Sequence, residues 1–321
     1  MVTRKDSPSW SDVANWVLRA LIQAEVLGVT RDTADYELPY LEYSTSIGID
    51  FTSALRTVGN YGEIYDRHME AIVPRKALNV LYSNNVNESS GLHYSHPVGG
   101  VGKFRKNLQQ DSKISRIFNR GEILCGILSN ASQEESMEGD FCRALSASLF
   151  SSDTTRIKFV SLDEAEMQGA LDSETVDVIS GVDLTIQSDM VTSETGSGLS
   201  GLAFSQPMYY FTDSEDVSRT RPPKAMATSQ SDPDWSTFVY WSVANLISAE
   251  ELGITSSDFR EVNTVQLLGE DFEWMFRGQL LGVGNYGEIY QRNTGRLPPR
   301  ARQNLLNDGK SPQLHCPASW S

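Results

Sequence analysis

The chain has 321 residues, of which 39% are hydrophobic, enough for ordinary cores in one to three domains. Its 27 Lys and Arg stand against 42 Asp and Glu, and the formal charge of −15 is the wrong sign for a surface that must release counterions from nucleic-acid phosphates. No run reaches the roughly 18 apolar residues of a membrane span, and Met1 to Pro8 lacks the apolar core of a signal peptide, so the sequence as written predicts neither export nor anchoring.

Ser7-Pro8-Ser9-Trp10 predicts a helix start, with Ser7 as cap and Pro8 in the first turn. Val13, Trp16, Val17, Ala20, Leu21, Ala24 and Leu27 then make one apolar stripe, and Gly28-Val29 ends it as a left-handed cap. Trp16, inside that stripe, reads as a core anchor rather than a ligand platform. After a variable stretch, Gly59-Asn60-Tyr61-Gly62-Glu63-Ile64-Tyr65 predicts a second helix entrance, where Asn60 and Glu63 can form a reciprocal capping box. Residues 1–98 thus read as a helical segment and 99–117, Gly-rich and polar, as a linker. His93 and His96 have no third ligand candidate nearby, so no metal site is expected.

The character then changes. Ile123 to Leu128 is a short apolar run, Asp140 to Phe150 has helical spacing, and Arg156 to Val160 reads as a strand. Ser161 with Glu164 predicts a capping box that opens a helix through Leu171, and Val176 to Ser180 reads as a third strand. The order β-α-β-α-β implies parallel strands with right-handed crossovers, with any ligand beyond their carboxyl ends. The loops there are Ser129 to Gly139 and Gly181 to Asp189. Phe204 to Phe211 reads as one more extended segment, closing an α/β lobe over 118–211, and 212–231 as a second polar linker.

The final stretch, 232–321, repeats the first. Gly284-Asn285-Tyr286-Gly287-Glu288-Ile289-Tyr290 returns the earlier heptad at an offset of 284 − 59 = 225, the offset that also relates Trp10 to Trp235, Glu25 to Glu250 and Arg75 to Arg300. One register held over some seventy residues reads as two copies of one helical closing segment. Cys125, Cys142 and Cys316 lack metal-ligand spacing and are too few for a disulfide scaffold, which leaves one bridge, Cys125 to Cys142, open.

Together, Arg120-Gly-Glu-Ile-Leu-Cys-Gly, Asp140-Phe-Cys-Arg-Ala, Val176-Asp-Val-Ile-Ser, Phe204-Ser-Gln-Pro-Met-Tyr-Tyr and the GNYGEIY segments resemble the family 3 extracellular solute-binding proteins. The nearest likeness is to the general L-amino-acid-binding periplasmic proteins of ABC transporters. The resemblance implies an α/β fold of the type II periplasmic-binding-protein kind: a first lobe with a parallel βαβαβ core and C-terminal helices. It also implies a second lobe inserted between them and hinge closure on the ligand. Here the insertion is absent and an extra copy of the helical closing segment is present. The family implies a periplasmic or extracellular address, which the first residues do not support.

The family's first lobe binds the ligand α-carboxylate with a Thr and an Arg in the loop after the third strand. Alignment puts Asp183 at the first Thr, Thr185 at the second and Ser188 at the Arg, with Ser129 and Asn130 lining the other side of half a cleft. The inverted charge predicts a solute-binding module with impaired or lost amino-acid binding, needing no cofactor. The partners to expect are an L-amino acid or other small polar solute, and a second lobe or a further copy of the chain covering the Trp10, Trp16 and Leu21 stripe. The alternative is a degenerate structural or interaction module, or part of a longer tandem protein. No Ser-His-Asp order, metal motif or phosphate-binding Gly loop argues for an enzyme.

Overall fold

The computed structural model describes residues 3–4, 7–26, 28–34, 50–75, 112–128, 136–185, 201–210, 222–257, 270–295, 297 and 300, without the side chains of 8, 9, 26 and 270–276. The elements are α1 (Pro8–Val26), α2 (Phe51–Val58), α3 (Tyr61–His68), α4 (Lys113–Arg120), β1 (Ile123–Leu128), α5 (Met137–Leu149), β2 (Ile157–Leu162), α6 (Met167–Asp172), β3 (Val178–Asp183), β4 (Leu202–Phe204), β5 (Lys224–Ser229), α7 (Pro233–Glu251), α8 (Glu270–Val283) and α9 (Tyr286–Arg292).

Five strands form one sheet in the order β2-β1-β3-β5-β4. β1 pairs in parallel with β2 and β3, as the alternation of strand and helix requires, while β5 runs antiparallel between β3 and β4. Parallel strands buried on both faces need near-continuous apolar sequence, which Ile-Leu-Cys-Gly-Ile-Leu in β1 supplies. One face carries Leu162, Val176, Ile179 and Val182 against Ala170 and Leu171 of α6. The other carries Ile123, Cys125, Ile127 and Val178 against α5, α7, α8 and α9, with Phe141, Trp235 and Tyr286 at its centre. A disulfide joins Cys125 to Cys142 across that packing, Cα to Cα 6.4 Å.

Three stretches differ from expectation. Lys113–Arg120 is a helix, capped by the Ser112 hydroxyl on Ser115 N–H, and Lys224–Ser229 is a strand; this corrects the reading of 99–117 and 212–231 as linker throughout. Lys-Ala-Met-Ala-Thr-Ser holds few β-branched residues, and its place is fixed by pairing on both sides rather than by local preference. β2 runs on through Leu162, so the capping box after it is formed by Asp163 and Glu166 rather than Ser161 and Glu164. Asp232 caps two helices at once, accepting from Trp235 N–H of α7 at 3.0 Å and from Lys113 N–H of α4 at 2.8 Å.

The first helices have their own small core, built on Trp16, Ala20, Leu21, Ala24, Phe51 and Leu55. Their internal bonds recur 225 residues on. Asn60 and Glu63 form a capping box, as do Asn285 and Glu288. Asn60 Nδ2 donates to Val29 O and Asn285 Nδ2 to Ile254 O, both at 2.8 Å. Arg75 forks onto Glu25 as Arg300 does onto Glu250, each with a shortest contact of 2.5 Å. Burial opposes the charge on Arg300, but the hydrogen-bonded Glu250 carboxylate outweighs it and raises the guanidinium pKa. In both segments the arginine also lies over two tyrosine rings, Tyr61 and Tyr65 or Tyr286 and Tyr290.

Candidate functional site

The carboxyl ends of β1 and β3 open onto the first turn of α5. Ser136 caps that helix on Gly139 N–H, and Glu138, in its first turn, is buried. A carboxylate there is favoured by the helix N-terminus, and it also receives the Tyr209 hydroxyl at 2.5 Å. Burial, and then the Glu138 charge, push the Tyr209 phenol well above its ordinary value, so it stays a donor at any physiological pH. Ser180 of β3 donates to the Glu138 carbonyl at 3.1 Å, tying helix to strand.

Gly181 makes the geometry work. Its φ of +87° suits glycine alone, and a Cβ built there would stand 3.0 Å from Glu138 Cγ. The β3–β5 register slips by one residue at this point, from Ser180 opposite Met226 to Val182 opposite Ala225. The bulge sets Asp183 directly opposite Lys224, and Lys224 Nζ lies 2.7 Å from Asp183 Oδ1. The Asp183 side chain is 42% exposed and that of Lys224 20%, so the pair stays partly open to solvent. The backbone behind is fixed as well. Lys224 N–H donates to Tyr209 O, Met208 N–H to Lys224 O, and Tyr286 Oη of α9 to Met208 O.

Of the residues expected at the site, Asp183 and Thr185 lie together at the end of β3, Thr185 buried. Ser129, Asn130 and Ser188 fall outside the described residues, as do Cys316, His93 and His96. Sequence reasoning missed Glu138, Tyr209 and Lys224. Glu138 fell within the loop read as Ser129 to Gly139, and Lys224 lay in the supposed linker; its neighbour across the sheet emerges only from the pairing of β5. Among the described residues no cluster of three His, Cys, Asp or Glu side chains could hold a metal ion, and no helix is long and apolar enough to cross a membrane.

On the outer side of α5, a cleft of about 690 Å³ is lined by Asp140, Arg143, Val283, Arg292 and Asn293. Its centre is a closed network. Asp140 accepts from Arg292 Nε at 3.1 Å, from Asn293 Nδ2 at 2.9 Å and from Arg143 Nη1 at 3.1 Å, which locks α9 to α5.

No family profile matches the chain. It is 33% identical over 98 residues to the general L-amino acid-binding periplasmic protein AapJ of Rhizobium johnstonii, a match covering 25% of this chain and 28% of that protein. It is 29% identical over 111 residues to YhdW of Escherichia coli K12, a candidate amino-acid ABC transporter-binding protein, covering 28% of this chain and 32% of the other. The chain thus spans about a third of the length of the curated relatives it matches. Among solved structures, a periplasmic binding protein of an ABC transporter from Brucella ovis, with glutathione bound, aligns at a TM-score of 0.48 and 19% identity, over 65% of this chain and 99% of that one. The arginine-bound form of domain 1 from TmArgBP aligns at 0.28 and 20% identity, over 40% of this chain and 94% of that one. Over the stretch it shares with AapJ and YhdW, the chain is a homologue of the amino-acid-binding periplasmic proteins of ABC transporters.

Proposed function

We propose that the carboxyl face of β1 and β3 is half of a non-enzymatic solute-binding cleft that no longer holds a free amino acid by its α-carboxylate. The observation that carries this reading is the Asp183–Lys224 pair, 2.7 Å apart where the resemblance expects a neutral Thr. An incoming carboxylate meets Asp183, and the adjacent cation is already engaged. Glu138 adds a second carboxylate behind it, hydrogen-bonded to Tyr209. Losing the partner of a buried charge typically costs roughly 2–5 kcal/mol, at least thirty-fold in affinity. Small polar solutes without a free carboxylate suit this rim better.

Isothermal calorimetry of the folded chain against the common L-amino acids tests the reading. The expected result is no binding at micromolar strength, with Asp183→Asn releasing Lys224 and raising the affinity for carboxylate ligands about tenfold. Micromolar binding by the unaltered chain, weakened in Asp183→Asn, would overturn it.

A further inference from the structure

The helical segment after the sheet and the one before it make the same internal bonds, yet their outward faces meet different fates. Trp235 is 1% exposed and donates its indole N–H to Asp177 O at 2.8 Å; Trp10, 225 positions earlier, is 61% exposed. Tyr286 is buried with its hydroxyl on Met208 O, whereas Tyr61 is half-buried. Arg292 Nε reaches the Asp140 carboxylate, while the corresponding Arg67 Nε points to His68 on its own helix. Val283 is 5% exposed and Val58 is 37% exposed. The donors are the same residue types in both segments: an indole, a phenol and a guanidinium.

From this match we propose that the face of α1 to α3 carrying Trp10, Val58, Tyr61 and Arg67 is a docking surface for a second α/β lobe built like 112–230. Such a lobe offers a main-chain carbonyl where Asp177 stands, another at Met208, and a carboxylate at Asp140. The lobe within this chain is not that partner, because α7, α8 and α9 already cover the same face of it. A second copy of the chain carries the same cover. The occupant is therefore an α/β lobe from outside residues 1–321. The geometry of the proposed interface is the one seen between 112–230 and α7 to α9, in which the buried aromatic anchors sit at the centre and the Arg–Asp pair at the rim.

The offset supplies the test, since 232 − 225 = 7 makes Ser7 the counterpart of Asp232. A fusion placing an added copy of 112–231 directly ahead of Ser7 reproduces the Ser231–Asp232 junction in register. Trp10 is read by difference between each protein and its Trp10→Phe variant. In the fusion, iodide quenching of Trp10 is expected to fall several-fold and its emission to shift to the blue. Trp10→Ala is expected to lower the urea midpoint of the added lobe and to leave that of the unfused chain unchanged. Quenching as strong in the fusion as in the unfused chain, or an added lobe that stays unfolded, would overturn the proposal. So would an unfused chain found dimeric by light scattering with Trp10 already protected, which would make a second copy the occupant.

Discussion

Tyr209 and Glu138 meet at 2.5 Å, a phenol from the segment before β5 bonded to a carboxylate in the first turn of α5. Both side chains are buried, so the bond ties the segment before β5 to the start of α5 inside the protein. Tyr209→Phe leaves the Glu138 carboxylate without this donor. The expected cost is about 1–3 kcal/mol of stability by urea denaturation, and the double variant with Glu138→Gln is expected to recover part of it. A cost near zero for Tyr209→Phe would show that water replaces the hydroxyl freely.

Alkaline pH gives a second expectation. The phenols of Tyr209 and Tyr286 are both raised above their ordinary value of 10.0, in each case chiefly by burial. Above that pH the unfolded chain releases these protons and the folded chain keeps them. The folded state then binds more protons, so stability is intact below about pH 10 and falls as pH rises beyond it, by about 1.4 kcal/mol per pH unit for each fully protected tyrosine. Urea midpoints between pH 9 and 11 measure the fall, and Tyr286→Phe is expected to shallow it.

Asp232 is a joint rather than a simple cap, since it accepts from both Trp235 N–H and Lys113 N–H. Asp232→Ala unbinds the starts of α7 and α4 together. The expected loss is about 1–3 kcal/mol, larger than for an ordinary cap, with Asp232→Asn retaining much of the stability. Hydrogen exchange is expected to quicken at residues 113–116 and 235–237 alike; acceleration at one helix alone would refute the joint.

Reducing the Cys125–Cys142 bridge opens a loop with a sequence separation of 17, for which chain entropy alone predicts a loss of about 3 kcal/mol. The comparison of urea midpoints with and without a thiol reductant checks it. The secondary structure is expected to survive, because both cysteines lie in the apolar layer between β1 and α5.

Local signals carried far in this chain. The bounds of β1, the Pro8 start of α1 and the capping box at each GNYGEIY segment could be read from sequence, because each depends on residues within a few positions of one another. The box after β2 lies two residues beyond the Ser161 and Glu164 pair that the pattern suggests. β5 could not, since Ala225 and Ala227 become strand residues only by lying between β3 and β4. The site followed the same division. Asp183 and Thr185 could be placed at the end of β3 because that strand is recognisable in the sequence. Lys224 and Tyr209 reach it from more than twenty residues away in sequence, through a bulge at Gly181 that no local pattern announces. Trp10 and Trp235 were read alike in sequence, and what separates them is the presence of a lobe to pack on.

The placement of Trp235 and Tyr286 at the centre of the main core sets an order on synthesis. When residues 112–210 have left the ribosome, the face of the sheet beside α5 still lacks β5 and its aromatic filling, and the nascent lobe shows bare apolar surface. Completion waits for α9, more than seventy residues later, to bring the Tyr286 hydroxyl onto Met208 O. The first helices, whose small core needs nothing beyond residue 75, can fold long before. The lobe's exposure to chaperones and proteases is therefore concentrated in that interval, and slowed elongation through 232–290 would lengthen it.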